Sequence, residues 1–474
     1  MNDYVPTTAL TAESAATSID VPTASTSLLT DMYELTMLQG ALESGTATRR
    51  SVFELFGRRL PGSRRFGVVA GTGRLLDAIE AFAFTPSQID FLHRTGVVND
   101  ETLDFLRDYR FTGTVRGYAE GECYFAGSPL LTVEGTFAEA CILETLALSI
   151  YNYDCAVASA ASRMTIAAHG RPCVDFGARR AHEQAAVAAA RASVVGGFVG
   201  TSNLEAGLLY GIPTVGTSAH SFTLLHDSEE DAFAAQVASL GPSTTILVDT
   251  YDIATGVERA VKAARAAGGE LGAVRLDSGD LVAEAFKVRA QLDTLGATST
   301  KITVTNDLDE HAIAALGAAP VDSYGVGTKL VTGSGRPTAA LIYKLVERAG
   351  ADGEMREVAK FSEGGKATVG GRKWAGRVVD GTGSATEELV VSAQDQDEAL
   401  AALAEAGARP LQVELVHDGV VVEEHRGPRA LAAAAERHRA SRAELPYDAW
   451  RLSEGEPAVP TRHVDLDGRR PLRG

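Results

Sequence analysis

His220 stands in Gly216-Thr217-Ser218-Ala219-His220-Ser221-Phe222, just after a short apolar run that ends in a glycine turn. An imidazole there projects from a strand end. Near neutral pH it is a nucleophile able to accept a phosphoryl group. A single histidine is more often paired in a polar loop, so its neighbours must argue for it. Asp249 ends the next apolar run, in Leu247-Val248-Asp249-Thr250-Tyr251-Asp252. A carboxylate there can hold one ring nitrogen and fix the tautomer. Asp252 fits better as the cap of a helix expected from residue 253, which leaves Asp249 for the site. Arg275 and Asp277 alternate along one strand and point the same way. They read either as a structural ion pair or as a ligand site. In the second reading the arginine meets an anion, and the aspartate accepts from sugar hydroxyls or holds Mg2+.

Two further segments suit phosphate. Asp175-Phe176-Gly177-Ala178-Arg179-Arg180 sets a flat aromatic face beside two guanidinium forks, although paired arginines are usually solvated. Gly325-Val326-Gly327-Thr328-Lys329 is similar to loops that donate backbone amides to a phosphate. Such glycine clusters often mark only tight turns, and this one is neither a Walker loop nor a dinucleotide fingerprint.

These residues need a scaffold that brings them together. Across residues 171–345, apolar runs at 173–176, 213–216, 246–249, 273–277, 302–305 and 324–327 alternate with helical stretches such as 253–267. Such alternation implies parallel strands with right-handed crossovers. Nearly every run ends in glycine, aspartate, asparagine or a hydroxyl residue. One such ending reads as a helix cap. Six of them describe the C-terminal face of an α/β barrel, where active sites are built. Residues 1–27 read as a disordered tail rich in Ser, Thr, Ala and Pro, and a helix is expected from about Asp31. Residues 28–140, with strand-like runs at 52–55, 112–117 and 129–133, read as an α+β domain. Residues 138–168 read as helical. The barrel is placed at 141–349. The stretch 350–474, with helices at 394–406 and 428–440, reads as a region packing on the other domains.

The 474 residues carry 44 basic and 62 acidic side chains, a net charge of -18. That balance excludes a general nucleic-acid binder, which needs a basic face. It leaves room for phosphate ligands held by a few arginines. Four separated cysteines, Cys123, Cys141, Cys155 and Cys173, form no CxxC pair and read as isolated thiols. With no charged, apolar leader at the start and no run long enough to span a bilayer, the expectation is a cytoplasmic protein away from membranes.

Together these segments resemble the nicotinate phosphoribosyltransferase family over about residues 28–375. The likeness rests on Leu29-Thr30-Asp31-Met32-Tyr33-Glu34-Leu35-Thr36-Met37, the 175–180 segment, Gly200-Thr201-Ser202-Asn203, the 216–222 segment, the 275–280 segment, Thr305-Asn306-Asp307-Leu308-Asp309 and the 324–330 segment. The resemblance implies an irregular α/β barrel of the type II phosphoribosyltransferases, with an additional α+β domain and a C-terminal covering domain, assembled as a homodimer. It implies that nicotinate and phosphoribosyl pyrophosphate give nicotinate mononucleotide and pyrophosphate in NAD salvage, with Mg2+ present and ATP hydrolysis driving the reaction through a phosphohistidine. His220 matches that histidine and Asp249 the residue behind it. Tyr33 matches a tyrosine reaching the other subunit's site, where it stacks opposite Phe176. Arg275 matches the arginine that meets the pyridine carboxyl group, and Asp277 the ribose-binding carboxylate. Arg179 matches a phosphate-side arginine. Asn306 and Asp307 match a loop holding ribose or phosphate, and Gly327 and Thr328 the 5′-phosphate loop. Thr201 and Ser202 lie where the nicotinamide-using sister enzyme has a threonine followed by an aspartate. A carboxylate at Ser202 would repel nicotinate. The competing readings are a quinolinate or nicotinamide phosphoribosyltransferase and a non-catalytic sugar-phosphate sensor.

Overall fold

The computed structural model describes residues 24–360 and 369–466. Among the described residues the chain divides into two compact units, one of Val157–Gly335 and one of the flanking stretches on either side of it. The boundaries expected from the sequence run differently, because they set the C-terminal region apart. Pairing across long sequence distances joins it to the N-terminal part. Gln412–His417 pairs antiparallel with Thr114–Tyr118, and Leu341–Ala349 pairs antiparallel with Arg50–Gly57. No local pattern announces partners so far apart.

The sheet that holds these strands has seven members among the described residues. A second sheet, of Lys373–Val379, Ala385–Ser392, Ala408–Pro410 and Thr461–Asp465, belongs to the same unit. Of the expected tail, residues 1–23 lie outside the described residues. Residues 24–27 are anchored: the Thr26 hydroxyl donates to the Ala78 carbonyl at 2.6 Å, and that of Ser25 to Ala83 at 2.6 Å. The helix expected near Asp31 is Met32–Glu43, with Asp31 at its N-cap. The helical stretch 138–168 is two helices, Phe137–Cys141 and Glu144–Ala167.

The Val157–Gly335 unit holds the parallel sheet. Its strands are β1 (Cys173–Asp175), β2 (Gly200–Thr201), β3 (Thr245–Leu247), β4 (Ala273–Leu276), β5 (Lys301–Val304) and β6 (Ser323–Val326). Their order is β2-β1-β6-β5-β4-β3, and every pairing is parallel. β2 and β3 are the two edges, so the sheet curls without closing, as an irregular barrel does. The run expected as a strand at 213–216 makes only an isolated bridge from Thr214 to Thr201. β2 takes the place beside β1, and Gly200 lets the backbone at Pro213 approach β2: a Cβ on Gly200 would lie 2.8 Å from the Pro213 carbonyl oxygen. Helices such as Ile253–Ala266 return the chain between strands, burying Val257, Ala260, Val261 and Ala264 at helical spacing.

Candidate active site

Each strand delivers its polar residues just past its C-terminal end. β1 is followed by Phe176 and Gly177, β2 by Ser202, β3 by Asp249 and Thr250, β4 by Asp277 and Ser278, β5 by Thr305, Asn306 and Asp307, and β6 by Gly327 and Thr328. Arg275 lies on β4 itself. Parallel strands all point their C-terminal ends one way, which is why residues far apart in sequence share one face.

The centre of this face is His220, the first residue of the helix His220–Leu225. Its Nε2 lies 3.9 Å from Oδ1 of Asp249 and 3.9 Å from Oδ2 of Asp277. Its Nδ1 lies 3.1 Å from the Thr250 hydroxyl. The imidazole is 41% exposed, so a ligand can reach it, whereas the Asp249 side chain is 1% exposed. Asp249 is itself held. Its Oδ2 accepts from the Asp277 amide at 2.7 Å and from the Ser278 hydroxyl at 2.7 Å. Its Oδ1 is buried and makes no hydrogen bond among the described residues. Asp252 caps the next helix, accepting from the Thr255 amide at 2.8 Å. Asp249 is thereby left to the histidine, as its place at the strand end suggests.

Asp277 also accepts from the Thr305 hydroxyl, which ties the ends of β4 and β5. Two residues back on the same side, Arg275 donates to the Thr217 hydroxyl at 2.9 Å and to the Ser218 carbonyl at 3.2 Å. The guanidinium is thus fixed against the segment leading to His220. After β5, Asn306 and Asp307 adopt left-handed backbone, with φ 91 and φ 44. Two consecutive non-glycine residues in that region are costly and concentrate at functional loops.

Phe176 and Asp175 form the other wall. The Phe176 ring packs on the glycine of β6: a Cβ on Gly325 would lie 2.5 Å from the ring and 2.6 Å from Thr305 Cγ2. Asp175 is fully buried and acts as a clasp. It accepts from the Gly177 amide and from the Thr201 hydroxyl, each at 2.7 Å, and its carbonyl accepts from the Ser202 amide at 2.8 Å. Burial pushes its carboxyl above the ordinary range, against the pull of those donors. Thr201 is thus buried and spends its hydroxyl on Asp175, while Ser202 is half-buried. Arg179 is exposed on the short 3-10 turn Ala178–Arg180.

Tyr33 belongs to the other compact unit, on Met32–Glu43, and is 44% exposed. Partial burial, with Glu144 adding to it, pushes its hydroxyl up to about 12. The supporting residues Asp175, Thr217, Thr250, Ser278 and Thr305 were not singled out from the sequence. Each is a hydroxyl or carboxyl residue within a few positions of a strand end, but nothing local says which neighbour it holds.

The profile of the nicotinate phosphoribosyltransferase N-terminal domain matches residues 28–152, and that of the nicotinate phosphoribosyltransferase family matches residues 172–363. A Mycobacterium tuberculosis protein named nicotinate phosphoribosyltransferase pncB1 is 51% identical over 453 residues, covering 92% of this chain and 95% of that protein. The Bacillus subtilis nicotinate phosphoribosyltransferase is 36% identical, covering 78% and 77%. Among solved structures, human nicotinic acid phosphoribosyltransferase superposes with a TM-score of 0.76 at 25% identity, covering 91% of this chain and 97% of that one. The nicotinate-nucleotide pyrophosphorylase of Pyrococcus furiosus superposes with a TM-score of 0.69 at 25% identity, covering 87% and 95%. With both profiles matching in order and half of all positions shared with a relative across nearly its whole length, the chain is an enzyme of the nicotinate phosphoribosyltransferase family.

Proposed function

We propose that the chain joins nicotinate to phosphoribosyl pyrophosphate, releasing pyrophosphate, and that ATP drives the reaction through a phosphoryl group carried on His220. The observation that carries this reading is the environment of the imidazole. Two carboxylates face Nε2 and a hydroxyl faces Nδ1. The carboxylates favour the proton on Nε2 and leave the lone pair on Nδ1, where the Thr250 hydroxyl donates to it. Nδ1 then forms a bond to the γ-phosphorus of ATP as the bond to ADP breaks. Water later takes the phosphoryl group as inorganic phosphate.

In the transfer itself the pyridine nitrogen bonds to the anomeric carbon as pyrophosphate departs with the bonding electrons. This passes through an oxocarbenium-like state, so the protein's work is positioning and charge stabilisation. Arg275 meets the nicotinate carboxylate and Phe176 stacks on its ring. Asp277 takes the ribose hydroxyls. Asn306, Asp307, Gly327, Thr328 and Arg179 take phosphate, while Thr201 and Ser202 shape the base pocket. A homodimer in which each copy lends Tyr33 to the other belongs to the same reading, supported by the exposure of that ring.

Among the described residues no three His, Cys, Asp or Glu side chains gather as a complete cation site. The unpaired Asp249 Oδ1 and the partly exposed Asp277 suit a Mg2+ site that takes one or two carboxylates and completes its shell with water and substrate phosphates. When bound, the ion neutralises phosphate charge. Production from nicotinate and use in NAD salvage in the cytoplasm complete the reading. In its support, no helix among the described residues is long and apolar enough to cross a membrane.

The test offers nicotinate, nicotinamide and quinolinate separately with phosphoribosyl pyrophosphate, Mg2+ and ATP. Mononucleotide from nicotinate alone is expected. Turnover of quinolinate with release of carbon dioxide would transfer the chain to the decarboxylating reaction.

A further inference from the structure

A cavity of about 370 Å³ opens in the unit that does not hold the parallel sheet. One wall is a single stripe of the helix Met32–Glu43: Met37, Gly40, Ala41 and Ser44, spaced three and four apart. The opposite wall comes from two antiparallel strands in which Ser51 sits directly across from Arg348. Arg49, just before the first of these strands, lines the cavity beside Ser51. Phe137 and Leu345 supply the apolar remainder.

The charge of this cavity is unusual for an acidic protein of net charge -18. Two guanidiniums line it, and among the described residues no carboxylate lies within ion-pair distance of either. The Arg348 guanidinium donates to the neighbouring Ala349 carbonyl at 3.2 Å. The backbone of Arg49 is fixed, its carbonyl accepting from the Phe137 amide at 2.9 Å and from the Ser51 hydroxyl at 3.1 Å. The arginine is therefore rooted at the rim of the cavity rather than on a mobile loop. The volume falls in the range of small-molecule sites, roughly 300–1,000 Å³. Two forks without a carboxylate partner match a phosphate, and an apolar wall with one aromatic ring matches a base.

We infer that this cavity is a second ligand site, distinct in its residues from the barrel face, and that it takes a mononucleotide-sized organic phosphate. The phosphate lies between Arg49 and Arg348 and the flat apolar part lies against Met37, Phe137 and Leu345. The inference stands whether or not the reaction proposed above is correct, because it uses none of the same residues.

Gly40 provides the test. Apart from its own helix, no atom lies within 4 Å of where its Cβ would stand, and its helical backbone suits any residue. Gly40→Phe therefore fills the cavity without straining the fold. Arg348→Gln removes charge and keeps the cavity open. AMP binding to the intact protein is followed by calorimetry, with adenosine and inorganic phosphate as the separated halves of the same chemistry. Phosphoribosyl transfer and oligomeric state are read in parallel.

The wild type is expected to bind AMP better than either half. Each variant should weaken that binding by about tenfold or more, as loss of a charge-assisted contact implies, with turnover and oligomeric state unchanged. AMP affinity that is the same in both variants, or no AMP binding to the wild type at millimolar concentration, overturns the inference. So does a change of oligomeric state in Gly40→Phe, which would make the cavity a contact between copies. Inorganic phosphate binding as tightly as AMP overturns the assignment of a nucleotide-sized ligand.

Discussion

The carboxylate of Asp249 faces His220 with one oxygen, 3.9 Å from Nε2, and fixes the end of β4 with the other, 2.7 Å from the Asp277 amide. One buried side chain thus sets the histidine and its second carboxylate together. Asp249→Asn keeps the shape and removes the charge that orders the tautomer. Steady-state kinetics should show ATP-driven turnover falling by on the order of 10²-fold, the scale of a positioned proton-handling group. Uncoupled transfer without ATP should fall much less. Equal losses in both would mean that Asp249 serves the fold and not the histidine.

Ser202 follows the buried Thr201 and donates its amide to Asp175. Ser202→Asp adds a carboxylate where the base is expected to enter. The kcat/KM for nicotinate should drop about tenfold or more, as repulsion between two carboxylates in a screened site implies. Nicotinamide should be affected less. An unchanged kcat/KM for nicotinate would remove Ser202 from the base pocket.

Gly325→Ala would set a methyl group 2.5 Å from the Phe176 ring. Overpacking of this kind costs about 1–3 kcal/mol. If the ring stacks on nicotinate, KM for nicotinate should rise while KM for phosphoribosyl pyrophosphate stays within about twofold, the spread expected of an indirect effect. A melting curve on the same sample separates the local shift from general unfolding.

Much of this site is legible in the sequence because parallel strands put their exits on one face. The positions of Asp249, Asp277, Asn306 and Gly327 follow from run-and-loop alternation, and the capping role of Asp252 from its place before Ile253, whereas His220 opens a helix and does not leave a strand end. What stayed hidden depends on partners brought together by folding. Nothing near Asp175 says that it will clasp Thr201, and nothing near Thr250 says that it will face the imidazole. The strand expected at 213–216 failed for a related reason. Its apolar character was right, but Gly200 and Thr201 won the place beside β1. The C-terminal strands likewise found their partners some three hundred residues upstream, as Gln412 did opposite Tyr118.

Stability should fall on mild acidification. Burial holds His438 down to about 3 and His463 down to about 4, both well below the ordinary 6.5. Arg442 assists in the first case and Lys373 in the second. Their folded-state values are depressed, so the unfolded chain binds protons that the folded chain refuses. Their contribution is complete above about pH 6.5 and is lost as the pH falls from there towards 4 and 3. Each group adds a slope of up to about 1.4 kcal/mol per pH unit in that window. Urea midpoints taken from pH 7 to pH 4.5 should decline, and the decline should be shallower in His438→Gln. A flat profile in the wild type would show that neither ring is kept neutral.

The proposed coupling of ATP to transfer rests on a phosphoryl group carried by His220. The direct measurement compares wild type with His220→Ala, supplied with nicotinate, phosphoribosyl pyrophosphate and Mg2+, with and without ATP, and follows nicotinate mononucleotide and ADP together. ATP should raise product formation in the wild type only, and ADP release should disappear in the variant. Equal product from both proteins, unaffected by ATP, would contradict it.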